Sequence, residues 1–110
     1  MTTKPQTDMW VRVAALKDIP QLGARVVKSR LGDIAVFRNN QDEVFAVRDK
    51  CPHKGGPLSQ GIVFERKVAC PLHGWTIHLD SGAAAAPDEG CAATFPVKVE
   101  GGEVFLQLER

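Results

Sequence analysis

The sequence predicts an all-β domain, built as an antiparallel barrel or sandwich, and three observations support this. Short runs rich in β-branched and other apolar residues recur along the chain. Turn-forming residues interrupt these runs about every 8 to 12 residues, a spacing typical of small sandwiches and barrels. No window shows apolar residues at a sustained helical period. The fold class follows from all three together.

The first half of the chain predicts four strands joined by recognisable turns. Asp18, Ile19 and Pro20 predict a turn or a brief helical turn after the first run. The letters SRLG at 29–32 and NNQD at 39–42 are rich in turn formers and predict two connections, the second a hairpin. Along the fourth run, alternate residues are expected to face opposite sides. The four strands are predicted over 11–14, 25–28, 33–38 and 43–48.

The second half predicts five more strands. Glu65-Arg66 predicts a tight turn between two short runs, and DSG at 80–82 is expected to end the next run. Gly101-Gly102 is typical of a two-residue hairpin turn, since glycine reaches positive φ without strain. GAAAAP at 82–87 is bounded by glycine and proline, which favours a loop over a helical turn. These strands are predicted over 62–64, 67–69, 75–79, 95–99 and 103–108.

Length and composition predict one compact domain with no electrostatic footprint for nucleic acid or anionic membranes. The chain has 110 residues, of which 14 are Lys or Arg and 13 are Asp or Glu. No apolar run reaches the length of about 18 residues that a membrane helix needs. Residues 1–9 are polar and are expected to form a flexible lead before a single domain over 10–110. Without an export signal the expected compartment is the reducing cytoplasm, where three cysteines favour metal or redox chemistry.

Two short stretches carry the chemistry of the chain. CPHKGGPLSQG at 51–61 and CPLHGW at 70–75 each place a proline after a cysteine, followed by a histidine and a glycine. The prolines fix φ next to each cysteine, and the glycines let the backbone pass close to a bulky group. Thiolate and imidazole are ligands that suit iron and zinc. The candidate ligands are Cys51, His53, Cys70 and His73.

Two kinds of metal group remain open on these residues alone. A single zinc ion accepts two thiolates and two imidazoles in a tetrahedron, which would make the chain a zinc-stapled interaction domain. A binuclear iron–sulfur cluster could take both sulfurs on one iron and both nitrogens on the other. The proline and glycine framing favours the bulkier cluster and therefore an electron carrier. A third hypothesis keeps the fold but uses it only for docking to a partner.

The two boxes resemble those of Rieske-type ferredoxins. The resemblance implies the Rieske (ISP) fold, with an antiparallel base and a two-loop cluster-binding subdomain at about 49–82. It implies a Rieske-type [2Fe-2S] cluster, with Cys51 and Cys70 on one iron and His53 and His73 on the other. Respiratory Rieske proteins carry further cysteines where Gly56 and Leu72 stand here.

Two other positions bear on the redox potential expected from the resemblance. Respiratory Rieske proteins usually place a hydroxyl residue at the position of Trp75 and a tyrosine at that of Ile77. Both donate hydrogen bonds towards the cluster, and fewer donors stabilise the reduced state less. The expected potential therefore falls in the lower part of the Rieske range of about −150 to +300 mV.

Among carriers without a membrane anchor, the chain resembles most the small subunit of assimilatory NAD(P)H-dependent nitrite reductase. The letters GGPLSQG, CPLHGW and PDEGC carry this resemblance. It implies a large flavin and sirohaem subunit that reduces nitrite to ammonia in nitrate assimilation. This chain would pass electrons and contribute no catalytic residue. The alternative is the ferredoxin component of a ring-hydroxylating dioxygenase system, with a dioxygenase and its reductase as partners, although that group commonly has an aromatic residue at the position of Ile77.

Five other residues have simpler expected roles. Trp75 is expected to pack under the second cysteine loop. Lys54 is expected to be solvated, and Pro87 to belong to a third loop that covers the cluster, as the resemblance implies. Cys91 has no partner at ligand spacing and is expected to be a small packed residue. His78 is expected on a strand, at the surface or in packing, and not as a ligand.

Overall fold

The computed structural model describes residues 10–29, 32–51, 56–71, 75–85 and 90–107. Within these ranges the regular structure consists of strands and two single 3-10 turns, Leu16–Asp18 and Leu58–Gln60, so the all-β prediction is confirmed. The strands are β1 (Trp10–Ala15), β2 (Gly23–Ser29), β3 (Gly32–Arg38), β4 (Val44–Arg48), β5 (Ile62–Phe64), β6 (Lys67–Ala69), β7 (Thr76–His78), β8 (Thr94–Phe95), β9 (Val97–Glu100) and β10 (Glu103–Gln107).

These strands form three antiparallel sheets. The terminal sheet has the order β1-β10-β9, and the central sheet has the order β2-β3-β4-β8. The loop sheet has the order β5-β6-β7 and carries the second cysteine box between β6 and β7. The first box follows β4, so it connects the central sheet to the loop sheet.

The middle strands of the central sheet, β3 and β4, are buried on both faces. On β3, Ile34 and Val36 pack in a core shared with the terminal sheet, whereas Ala35 and Phe37 pack in a core shared with the loop sheet. All four residues are at most 1% exposed. This explains why β3 reads as a continuous apolar run instead of alternating with polar residues. β4 divides in the same way, as its alternation predicted, with Ala46 in one core and Val47 in the other.

Most predicted turns are confirmed, because their geometry is decided locally. Gly101 and Gly102 both have positive φ, at 57° and 77°, and they join β9 to β10 as a hairpin. Glu65 also has a positive φ of 55° in the tight turn between β5 and β6. The 39–42 segment connects β3 to its antiparallel partner β4, as predicted.

The single strand predicted over 95–99 is wrong. Residues Thr94 and Phe95 form β8 and pair with β4 in the central sheet. Pro96 interrupts the run, because it cannot donate to a ladder, and the chain then enters the terminal sheet as β9. The apolar run over 94–100 therefore contributes one strand to the central sheet and one to the terminal sheet.

Two further predictions concern a membrane-spanning helix and the N-terminal lead. Among the described residues, no helix is long and apolar enough to cross a membrane. The predicted lead over residues 1–9 lies outside the described residues, and the division into lead and domain stays a prediction.

Candidate metal centre

The two predicted cysteine ligands are both buried in the interior. Cys51 is 2% exposed and Cys70 is 3% exposed, and both belong to the core between the central and loop sheets. None of the three cysteines of the chain, all of which are described, forms a disulfide. The predicted ligands His53 and His73 lie outside the described residues, as do Lys54 and Pro87.

Both cysteine loops close with the same backbone hydrogen bond. The N–H of Cys51 donates to the carbonyl oxygen of Gly56 at 2.7 Å, and the N–H of Cys70 donates to that of Trp75 at 2.6 Å. In both cases the acceptor lies five residues after the cysteine. The two boxes are therefore alike in structure as well as in sequence, since each cysteine begins a loop of equal length.

The second loop lies at the end of a strand ladder. β6 and β7 are antiparallel partners, and Ala69 and Thr76 form their last pair. The bond from Cys70 to Trp75 continues this ladder by one step. Cys70 is therefore positioned by the loop sheet itself.

The first loop has no such ladder, because β4 and β5 belong to different sheets. Outside the Cys51–Gly56 bond, a side chain takes the place of the ladder. The Asp49 carboxylate accepts from the backbone N–H of Ser59 at 2.7 Å and from its hydroxyl at 2.8 Å. Leu58, directly before Ser59, is fully buried and fixes the 3-10 turn in the same core as Cys51.

Gly61 brings the two loops close together. A Cβ atom at this position would lie 2.2 Å from the carbonyl oxygen of Ala69, the residue before Cys70. The φ of Gly61 is −82°, which any residue can adopt, so the requirement is for space and not for a special backbone conformation.

The two ends of the segment over 82–92 meet, and the first of them is tied to β7. Gly82, with φ +80°, passes so close to Ala92 that a Cβ atom would lie 2.1 Å from the Ala92 carbonyl oxygen. The N–H of Ala85 donates to the carbonyl oxygen of Thr76 at 2.8 Å, which ties this loop to the start of β7. Residues 82–85 of GAAAAP form no helical turn, which agrees with the predicted loop.

The expectation that Cys91 is packed is wrong. Cys91 is exposed and forms an isolated bridge with Ala83. Its neighbour Ala92 is 6% exposed and occupies the core position instead. Successive residues of an extended chain point to opposite sides, so only one of the two can face inward.

The residues after the second loop lie as predicted. Trp75 is half-buried and packs against the core that contains both cysteines. Ile77 is fully buried there. His78, the next residue of β7, is half-buried and faces the opposite side of the loop sheet.

The perturbed charges among the described residues lie at the other end of these sheets. Arg66 donates two hydrogen bonds to Glu43, and these lower the pKa of the Glu43 carboxyl and raise the pKa of Arg66. Gln21 and Arg38 donate to Asp42 and lower its pKa in the same way. These groups flank the 39–42 and 65–66 turns, so they fix sheet ends and do not surround the cysteines.

The donor set fits an iron–sulfur group. Two thiols that share one core, without a disulfide between them, can bind a metal as thiolates. Two ligands do not complete the coordination of iron or zinc, and each cysteine is followed by a histidine in its own loop. His53 follows its cysteine by two residues and His73 follows its cysteine by three, so each loop offers one imidazole near its thiolate.

Comparisons with known proteins agree with this donor set. A family model described as the Rieske [2Fe-2S] domain matches residues 9–96, so the cofactor is a Rieske-type [2Fe-2S] cluster. The ferredoxin component of the naphthalene 1,2-dioxygenase/salicylate 5-hydroxylase systems of a Ralstonia species is 32% identical over 104 residues, which cover 94% of this chain and 99% of the relative.

Two solved structures share the fold over nearly their whole length. The ferredoxin of carbazole 1,9a-dioxygenase from Nocardioides aromaticivorans has a TM-score of 0.79 and 27% identity, covering 91% of this chain and 98% of that one. A protein described as the small subunit of an NADPH nitrite reductase has a TM-score of 0.79 and 29% identity, covering 89% of this chain and 97% of that one. The predicted Rieske fold is confirmed.

Proposed function

The chain belongs to the Rieske [2Fe-2S] domain family, and we propose that it is the electron-transferring small subunit of an NAD(P)H-dependent assimilatory nitrite reductase. The observation that carries the proposal is the set GGPLSQG, CPLHGW and PDEGC, together with the aliphatic Ile77. Ile77 is fully buried in the core that contains both cysteines, at a position where dioxygenase ferredoxins commonly have an aromatic residue. The 29% identity to a described nitrite reductase small subunit supports the proposal.

The ligand assignment is part of this proposal. Cys51 and Cys70 would bind one iron through their thiolates, and His53 and His73 would bind the other through imidazole nitrogens. The bound cluster supplies one-electron transfer. The chain itself turns over no substrate in this account, and nitrite would be reduced on a large flavin and sirohaem subunit.

The described residues shield the two thiols from water and hold them in place. The core of the central and loop sheets excludes water from the thiol side, since both cysteines are almost fully buried. Leu58 and Ile77 pack in that core, and Trp75 packs at its edge. In this proposal the partner docks on the side of the cluster that faces away from this core.

A second candidate is the ferredoxin component of a ring-hydroxylating dioxygenase system. The observation that favours it is the 32% identity to such a ferredoxin over almost the full length of both chains. The two candidates share the cluster and the one-electron role, and they differ in the partner that receives the electron.

Deleting the gene in its source organism separates the two candidates. We expect growth on nitrite as sole nitrogen source to be lost and growth on ammonium to be unchanged. Cell extracts should lose NAD(P)H-dependent ammonia formation from nitrite. Normal growth on nitrite, combined with loss of growth on an aromatic carbon source, would instead establish the dioxygenase partner.

Complementation of the deletion tests the electron-transfer role itself. The His53→Ala variant should fail to restore growth on nitrite while still co-purifying with the large subunit. The Cys91→Ser variant is the matched control and should restore growth, because Cys91 is exposed and lies outside the proposed ligand set. Full complementation by His53→Ala would show that the chain serves only for docking.

A further inference from the structure

The two cysteine loops are held in place by different means, and this difference points to a positioning residue. The second loop continues the β6–β7 ladder, whose last pair joins Ala69 to Thr76. The first loop leaves β4 in the central sheet and returns as β5 in the loop sheet. Strand pairing therefore cannot hold the two ends of the first loop together.

The side chain of Asp49 supplies the missing connection. Its two carboxylate oxygens accept from the backbone N–H and the hydroxyl of Ser59, at 2.7 Å and 2.8 Å. Hydrogen bonds to an ionised carboxylate are about twice as strong as neutral ones. Two such bonds to one residue also fix the orientation of Ser59 relative to Asp49, as a pair of ladder hydrogen bonds would.

Both ends of this connection are anchored to the fold. The N–H of Asp49 donates to the carbonyl oxygen of Asp33 on β3 at 2.9 Å. On the other side, Ser59 follows the fully buried Leu58 in the 3-10 turn. The bond from Cys51 to Gly56 lies between Asp49 and Ser59 along the chain, inside this connection.

We propose that Asp49 is a positioning residue whose carboxylate, by holding Ser59, replaces a strand pair and keeps Cys51 where it can bind the cluster. The Asp49–Ser59 connection acts on the first loop alone, because the second has its own ladder. Its loss loosens Cys51 while the sheets keep their packing. This role is the same whichever oxidoreductase the chain serves.

The test compares iron release and the spectrum of the reduced cluster in purified variants. Asp49→Ala should release iron to a chelator about tenfold faster than the unchanged chain, because two charge-assisted hydrogen bonds are lost. Ser59→Ala should accelerate release about threefold, since it removes the hydroxyl bond and keeps the backbone bond. Asp18→Asn, an exposed acid in the other 3-10 turn, is the matched control and should leave the release rate unchanged.

A spectroscopic readout separates positioning from general stability. The electron paramagnetic resonance g-values of the reduced protein should shift in Asp49→Ala, while its far-ultraviolet circular dichroism stays unchanged. Unchanged g-values and release rate in Asp49→Ala would overturn the proposal. If Asp49→Ala fails to fold, Ser59→Ala decides, and a release rate and g-values equal to those of the unchanged chain would overturn it.

Discussion

At the scale of single residues, the absence of a side chain at Gly61 lets the end of the first cysteine loop approach the start of the second. Gly61 lies against the carbonyl oxygen of Ala69, which directly precedes Cys70. Its N–H donates to the carbonyl oxygen of Leu58 and ends the 3-10 turn of the first loop. Gly61 therefore joins the exit of one loop to the entry of the other, and any side chain there must separate them.

Replacing Gly61 with alanine should lower both stability and iron content. The new Cβ would lie 2.2 Å from a backbone oxygen, so the backbone must move. We expect a loss of about 1–3 kcal/mol in the free energy of unfolding, as for other overpacked sites. Iron per chain should fall with it, measured by metal analysis after identical purification.

A glycine elsewhere provides the control for this change. Gly101→Asn alters a turn glycine that has φ 57° and no atom within 4 Å of a new Cβ, and asparagine tolerates that conformation. It should keep the iron content and thermal midpoint of the unchanged chain. The Gly61 account fails if Gly61→Ala also keeps both.

At the scale of elements, a buried asparagine joins two hairpins at the end opposite the cysteines. Asn39 is 1% exposed, and its side chain makes four hydrogen bonds. Its amide group donates to Glu43 and to the carbonyl oxygen of Glu65, and its oxygen accepts from two backbone N–H groups of the 39–43 turn. The β3–β4 turn is thus fixed to the β5–β6 turn, and Arg66 adds an ion pair to Glu43.

Replacing Asn39 with alanine should destabilise the fold without altering the cluster. The change leaves backbone groups of both turns without partners, which we expect to cost about 2–3 kcal/mol in the free energy of unfolding. The visible spectrum before unfolding should be unchanged, because the cysteines lie at the other end of the same strands. Denaturant unfolding followed by circular dichroism measures the loss.

The adjacent asparagine is the matched control. Asn40 is exposed, so Asn40→Ala should change the free energy of unfolding by less than about 0.5 kcal/mol. Equal effects of the two substitutions would show that the Asn39 hydrogen bonds do not join the sheets.

At the scale of the whole molecule, turns formed by adjacent residues can be predicted from the sequence, whereas pairings between distant segments cannot. Gly101-Gly102 and Glu65-Arg66 were predicted as turns because their conformation depends on a few adjacent residues. The split of the predicted strand at Pro96 depends on two different partner strands, which no local pattern contains. The cysteines were found from their repeated context, and the pair Asp49 and Ser59 was missed because neither residue is unusual alone.

The central claim is that two sulfurs and two nitrogens from the two loops bind one [2Fe-2S] cluster. The chain contains three histidines, and His78 faces away from the core that holds the cysteines. The most direct test is electron–nuclear double resonance of the reduced, freshly purified His78→Ala variant, labelled with ¹⁵N-histidine. The account predicts coupling to two histidine nitrogens, with iron and sulfide present in equal amounts. Absence of histidine coupling, or one zinc per chain without iron and sulfide, would contradict it.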